Sequence, residues 1–229
     1  MRYDSIFFDV GNTLYFYNYD FLCGLLSERF DIEVDGAELA AVHRRAQLSV
    51  VREGLEGRTH EELWGRTYRR WFEMAGIDGE KAGEAIDAVR THPFRHLFWS
   101  RMEEGTREML DWFRERGFRL GVISNAEGQI RRLLEHTGIN SRFDVVVDSS
   151  EVGVAKPDAR IFRMAVEGVR SSPERCVHVG DMVEIDVAGA RGAGITPILV
   201  DRDGATSEPG LITVARATDL PKLSIFSGI

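Results

Sequence analysis

Several polar residues of this chain stand where short apolar runs stop. Ile6-Phe7-Phe8 ends on Asp9 and a Gly-Asn turn, and Leu120 to Ile123 ends on Ser124 and Asn125. Cys176 to Val179 ends on Gly180 and Asp181, with Asp186 about one helical turn further on, and Lys156 precedes Pro157 in a loop that also carries Gly153. A carboxylate at a strand end can attack phosphorus to give an aspartyl phosphate, which divides one hard hydrolysis into two displacements. Asp9, Asp181 and Asp186 together form an all-oxygen donor set suited to Mg²⁺. Ser124 and the amides after it suit phosphate oxygens at a helix N-terminus. Lys156 offers a compact positive charge to a phosphoryl group and to the Asp9 carboxylate. Each residue also has an ordinary reading. Asp9 can open a solvated loop, Ser124 and Asn125 can cap a helix, Lys156 can be a solvated loop residue, and Asp186 can complement a helix dipole. Their order along the chain and their common place at strand ends favour the chemical reading.

The elements that must hold these groups alternate from Thr106 onward. A helix to Arg116 stops at Gly117, strand Leu120–Ile123 follows, and a helix through Ile130, Leu133 and Leu134 stops at Gly138. Strand Phe143–Val147, a helix beginning at Pro157 and running through Ile161 and Val166, strand Cys176–Val179, helix Ile185–Arg191 and strand Pro197–Val200 complete the pattern. Repeated helix and strand imply a parallel sheet covered on both faces, and right-handed crossovers bring its strand ends to one edge. The fold class is therefore α/β, a Rossmann-like doubly wound parallel sheet. Residues 15–97 read differently. Four helices succeed one another without strand alternation, the third opening on the capping box Thr59-His60-Glu61-Glu62. The expected organisation is a core of residues 1–14 and 98–229 with an all-helical insertion, 15–97, that closes over the strand ends as a cap. The aromatics Tyr15, Phe16, Tyr17, Trp64, Trp71, Phe94, Phe98 and Trp99 serve its packing or line a pocket.

Among 229 residues the net charge is −8, and no dense block of Lys and Arg provides a footprint for nucleic acid or an anionic membrane. No apolar run reaches the roughly 20 residues that span a bilayer, and the N-terminus lacks the pattern of a secretion signal. A cytoplasmic location and a small phosphorylated partner are the expectations. Oligomeric state has no signature. Cys23 and Cys176 read as buried thiols. The chain has 26 arginines and only three lysines, Lys81, Lys156 and Lys222, which singles out position 156 as one where an ammonium rather than a guanidinium is used.

FFDVGNT with Asp9 and Thr13, GVISNA with Ser124, VAKPDARIF with Lys156, and VHVGDMVEIDVAGARGAG with Asp181 and Asp186 resemble, in order and context, the four motifs of the haloacid dehalogenase-like hydrolase superfamily. That group consists mostly of Mg²⁺-dependent phosphatases, one branch of which carries a helical cap after the first motif. The resemblance implies Asp9 as nucleophile and metal ligand, Ser124 and Asn125 as phosphate contacts, and Lys156 as charge stabiliser. It implies Asp181 and Asp186 as acidic groups at the metal, with the backbone carbonyl of Gly11 as a further ligand. The departure is Gly11 itself. The superfamily's phosphatases usually have Asp there, to protonate the leaving group and then activate water. Three readings follow: a phosphatase that favours leaving groups needing little protonation or draws on a cap histidine (His43, His60, His92 or His96); a phosphonatase using Lys81, or a dehalogenase; and a binding module without turnover.

Overall fold

The computed structural model describes residues 3–54, 60–77, 79–204, 206 and 208–226. In chain order the elements are β1 (Ser5–Phe8), β2 (Tyr15–Phe16), α1 (Tyr19–Phe30), α2 (Gly36–Arg52), α3 (His60–Met74), α4 (Gly79–Thr91), β3 (Arg101–Met102) and α5 (Thr106–Glu115). There follow β4 (Arg119–Ser124), α6 (Ile130–His136), β5 (Val145–Asp148), α7 (Ser149–Val152), α8 (Ala159–Gly168), β6 (Cys176–Gly180), a π-helical turn Val183–Val187 running into α9 (Ala188–Gly192), β7 (Thr196–Val200) and β8 (Ile212–Val214).

The chain divides into two compact units, one built from residues up to Phe16 and from Ser100 onward, the other Tyr17–Trp99. In the first, six parallel strands lie in the order β5-β4-β1-β6-β7-β8. Every residue of β1 is buried, as a strand covered on both faces requires, and this is why the run Ile6-Phe7-Phe8 carries no polar alternation. On one face Phe7, Ile123 and Val147 pack against Ile161, Phe162 and Ala165 of α8. Each apolar side chain so buried contributes roughly 1.5–3 kcal/mol.

A two-stranded antiparallel ribbon of β2 and β3 pairs Tyr15 with Met102 and Phe16 with Arg101, and the sequence pattern did not announce it. Strands of two residues are too short for alternation to register. The ribbon belongs to the first unit, so the division between units falls two residues beyond the expected junctions.

The second unit is helical. Trp71, Tyr17, Phe72 and Phe98 are buried in its core with Leu22, Leu26, Leu39 and Ala46, and the indole of Trp71 donates to the Leu39 carbonyl at 2.9 Å. Asn18 caps α1 by accepting the Phe21 amide. Thr59, expected to cap α3, lies outside the described residues. Cys176 is buried, whereas Cys23 is only half-buried, on a helix face near the surface.

Candidate active site

Counted by their own order in the chain, the strands of the sheet run 3-2-1-4-5-6, and the direction of winding reverses between β1 and β6. Ligands of open α/β sheets bind outside the carboxyl ends of the strands at such a reversal. Phe8 pairs with Val179 on one side and with Val122 on the other. That register sets Asp9, Asp181 and Ser124 within a residue of one another along the strand direction, and the Asp9 amide donates to the Val179 carbonyl at 2.8 Å. One oxygen from each of Asp9, Asp181 and Asp186 can be chosen so that all lie within 4.8 Å of one another, and all three residues are buried.

Lys156 joins this cluster. Its ammonium donates to Asp9 Oδ1 and to Asp186 Oδ1, each at 2.6 Å. The lysine precedes α8 without belonging to it: Pro157 is outside the helix, and Asp158 is the cap, accepting the Arg160 amide. Asp186 sits on the π-helical turn, where the Met182 carbonyl accepts both the Asp186 and the Val187 amides. Such turns recur at functional sites because the wider turn re-aims a side chain. The carboxylate of Asp186 then presses on Gly180: a methyl group there would lie 2.2 Å from Asp186 Cγ. Asp186 Oδ1 also meets His178 Nε2 at 3.0 Å, and Oδ2 accepts the Met182 amide at 3.1 Å.

Burial pushes the Asp9 carboxyl up to about 7, with the carboxylates of Asp186 and Asp181 acting the same way against Lys156. For Asp186, burial is overcome by Lys156 and His178, and its carboxyl stays well below the usual range. Burial works against the Lys156 ammonium and is outweighed by Asp186 and Asp9, so the lysine is held charged. Three carboxyl groups with a single ammonium among them make a buried, all-oxygen donor set with negative charge in excess, which fits a hard divalent cation. Asp9, Asp181 and Asp186 would hold it. A divalent ion there would relieve the repulsion that raises Asp9.

Ser124 is buried at the end of β4, but the helix after it begins only at Ile130. Two amides of the intervening loop are already engaged, Ala126 donating to Ser149 Oγ at 3.1 Å and Gly128 to Asp148 Oδ2 at 2.9 Å. Ser124 is thus not a helix cap, and the loop that follows it is strapped to α7. Asn125 turns to the lysine. Its Oδ1 accepts the Lys156 amide at 2.7 Å and its Nδ2 donates to the Lys156 carbonyl at 2.9 Å. Asn125, expected as a phosphate contact, thus brackets the backbone of Lys156 in this structure.

Gly11 is not among the glycines of positive φ; the left-handed residue is Asn12, at φ 55°. Asn12 Nδ2 donates to Asp181 Oδ2 at 3.3 Å, a contact that the Gly-Asn turn signal did not reveal. His178 is the other residue that sequence reading missed, since a histidine inside an apolar strand reads as a core residue.

Two of the histidines named as replacements for a missing acid, His43 and His92, are engaged within the helical unit. His43 is buried, stacked on Trp71 with ring centroids 3.8 Å apart, and bonded through Nδ1 to the Tyr19 hydroxyl at 3.0 Å. His92 Nδ1 accepts the Phe94 amide. Lys81 donates to the Phe30 carbonyl at 3.0 Å, at the C-terminus of α1. The side chain of His60 lies outside the described residues.

Doubly wound sheets that bind dinucleotides place a glycine-rich loop at the reversal. Acids and one ammonium stand there instead, which is the equipment of a hydrolase. The chain belongs to the haloacid dehalogenase-like hydrolase family, whose profile matches residues 3–194. It is 34% identical over 156 residues to a phosphoserine phosphatase of Thermus thermophilus, covering 68% of this chain and 61% of that one. It is 30% identical over 220 residues to a glyceraldehyde 3-phosphate phosphatase of Methanothermobacter thermautotrophicus, covering 89% and 88%. The match spans 57–61% of the length of the Thermus relative and several others. In fold it is similar to the magnesium-bound HAD-hydrolase YfnB of Bacillus subtilis, with a TM-score of 0.77, 19% identity, and coverage of 99% and 100%.

Proposed function

We propose that the chain is a Mg²⁺-dependent phosphatase of small phosphorylated molecules that works through an aspartyl phosphate on Asp9. The observation that carries this reading is the buried contact of Lys156 with Asp9 beside two further carboxylates at the sheet's reversal. A carboxylate oxygen of Asp9 attacks phosphorus, the ester P–O bond breaks, and the leaving alkoxide takes a proton. Water then attacks the phosphorus of the acyl phosphate, releasing phosphate and restoring the carboxylate. Lys156 neutralises charge on Asp9 and on the phosphoryl oxygens. Asp9, Asp181, Asp186 and the Gly11 carbonyl would hold Mg²⁺, which would supply Lewis-acid neutralisation of the phosphoryl group. Two relatives bear the names of phosphatases, which supports the same reaction class.

Gly11 offers no side-chain acid or base, a lack worth about 10²–10⁴ in rate for an alkyl leaving group. Acyl phosphates and aryl esters, which need little protonation, are the expected substrates. The same glycine favours a second reading, a binding module without turnover. The engagement of Lys81 at the end of α1 weighs against a Schiff-base phosphonatase.

The test is turnover by the full chain with Mg²⁺ against aryl, alkyl and acyl phosphates and phosphonates, beside Asp9→Asn. Metal-dependent release of phosphate from aryl or acyl substrates, lost in D9N, is the expected result. Equal turnover by D9N overturns the nucleophile; phosphate binding without turnover selects the module.

A further inference from the structure

We propose that His178 is a positioning residue for the Lys156–Asp9 pair, acting through Asp186. The inference rests on the reading of Asp9 as nucleophile and Lys156 as its charge partner.

His178 lies in β6, its side chain fully buried, with its ring edge-on to Phe162 at 4.9 Å and 87°. Nε2 meets Asp186 Oδ1 at 3.0 Å. Nδ1 is buried and, among the described residues, has no hydrogen-bond partner. An ionised carboxylate only accepts, so the ring must present N–H on Nε2. A second proton on Nδ1 would leave a buried, unpartnered donor on a cation, which is costly. The ring is therefore the neutral Nε2–H tautomer, donating to Asp186.

That bond decides how Asp186 shares Lys156. Oδ1 of Asp186 accepts from both Lys156 and His178, and Oδ2 accepts from the Met182 amide. Donors from three places in the chain, the loop before α8, strand β6 and the residue before the π-helical turn, thus fix the plane of the carboxylate. Its charge is partly satisfied by groups other than the ammonium, and the ammonium remains divided between Asp186 and Asp9. Without the His178 donor, Oδ1 of Asp186 turns its full charge on Lys156 and draws the ammonium away from Asp9. Strand packing alone asks for no nitrogen at this position; an apolar side chain would satisfy it.

The test compares His178→Leu, which keeps bulk and loses the donor, with His178→Gln, which restores an N–H at similar reach. Loss of a hydrogen bond to a charged group predicts that kcat on an aryl phosphate falls by about 10- to 100-fold in H178L, with KM little changed and recovery in H178Q. In an Asp186→Asn background, H178L costs no further rate. Additive losses, or H178Q as impaired as H178L, overturn the proposal in favour of a packing role. Two spectroscopic readings on the full chain need no turnover, so they separate this inference from the proposed reaction. ¹⁵N ring spectra of His178 are expected to show the neutral Nε2–H tautomer, and the ¹⁵Nζ signal of Lys156 is expected to move in H178L and hold in H178Q. An Nδ1–H ring, or a Lys156 signal indifferent to H178L, overturns it even in an active enzyme. H178Q and its Lys156 signal carry the test where H178L does not fold.

Discussion

The carboxylate of Asp186 fills the space that a side chain on Gly180 would need: an added methyl would sit 2.2 Å from Cγ and 2.6 Å from Oδ2. Backbone φ does not demand glycine here, since Gly180 is not among the left-handed residues; the close approach does. Gly180→Ala must therefore push Asp186 off its contacts with Lys156, His178 and the Met182 amide. Overpacking of this kind costs about 1–3 kcal/mol. Urea unfolding should register that loss, and, on the proposed function, turnover of an aryl phosphate should fall far more than the change in stability explains. Wild-type rate and stability in G180A would show that Asp186 is not held where Lys156 needs it.

The excess of negative charge at the strand ends makes a second prediction. An ion that binds the folded chain alone raises its stability by mass action, by about 2.7 kcal/mol at a hundred times its Kd. Mg²⁺ should therefore raise the thermal midpoint of the wild type, and chelation should reverse the rise. Asp181→Asn removes one of the clustered carboxylates without touching the Lys156 contacts, and the metal-dependent shift should then shrink or vanish. An equal shift in D181N would move the ion away from this cluster.

Much of this site was legible because its groups follow strands, and strands announce themselves. The runs before Asp9, Ser124 and Asp181 are apolar because β1, β4 and β6 are buried on both faces, so a polar residue at each end stands out. Parallel winding then implies a common edge. The partners of those groups were not legible, because they are made by contacts between distant segments. Asn125 brackets the backbone of Lys156 from 31 residues away. The start of α6 at Ile130 rather than beside Ser124 follows from bonds to Asp148 and Ser149 on the neighbouring strand and helix. The ribbon of β2 and β3 joins segments on either side of the helical unit, and two residues per strand carry no periodic signal. His178 looked like one more core residue, since its function lies in a bond to a turn that local pattern does not place.

Gly11 gives the third prediction. Gly11 is not among the glycines of positive φ, so φ does not demand glycine there. Gly11→Asp introduces a carboxyl two residues after Asp9, in the place from which the superfamily's phosphatases supply acid and base. A positioned acid and base are worth about 10²–10⁴ in rate. Turnover of alkyl phosphates should rise toward that range, while aryl and acyl substrates, with good leaving groups, gain much less. The informative measurement is the ratio of kcat/KM for an alkyl and an aryl ester. A ratio unchanged by G11D would mean that the missing carboxyl does not limit alkyl hydrolysis.

His43 makes the stability of the chain depend on pH in a definite direction. Burial drives its ring down to about 3, and Arg44 adds to the effect. In the unfolded chain a histidine takes its proton near 6.5. Between those values the unfolded state binds the proton and the folded state does not, so stability falls as pH is lowered from about 6.5 toward about 3, and below that the contribution is exhausted. Each unit is worth about 1.36 kcal/mol, which gives roughly 3 kcal/mol between pH 6.5 and 4. His43→Phe keeps an aromatic ring against Trp71, where the two rings are now parallel to within 9°, and removes the proton. It also removes the bond to the Tyr19 hydroxyl, a cost that is the same at every pH in this range. The urea midpoint of the wild type should therefore drop more steeply than that of H43F as the solution is acidified, and the two curves should converge. Parallel curves would mean that the ring is protonated in place, against its burial.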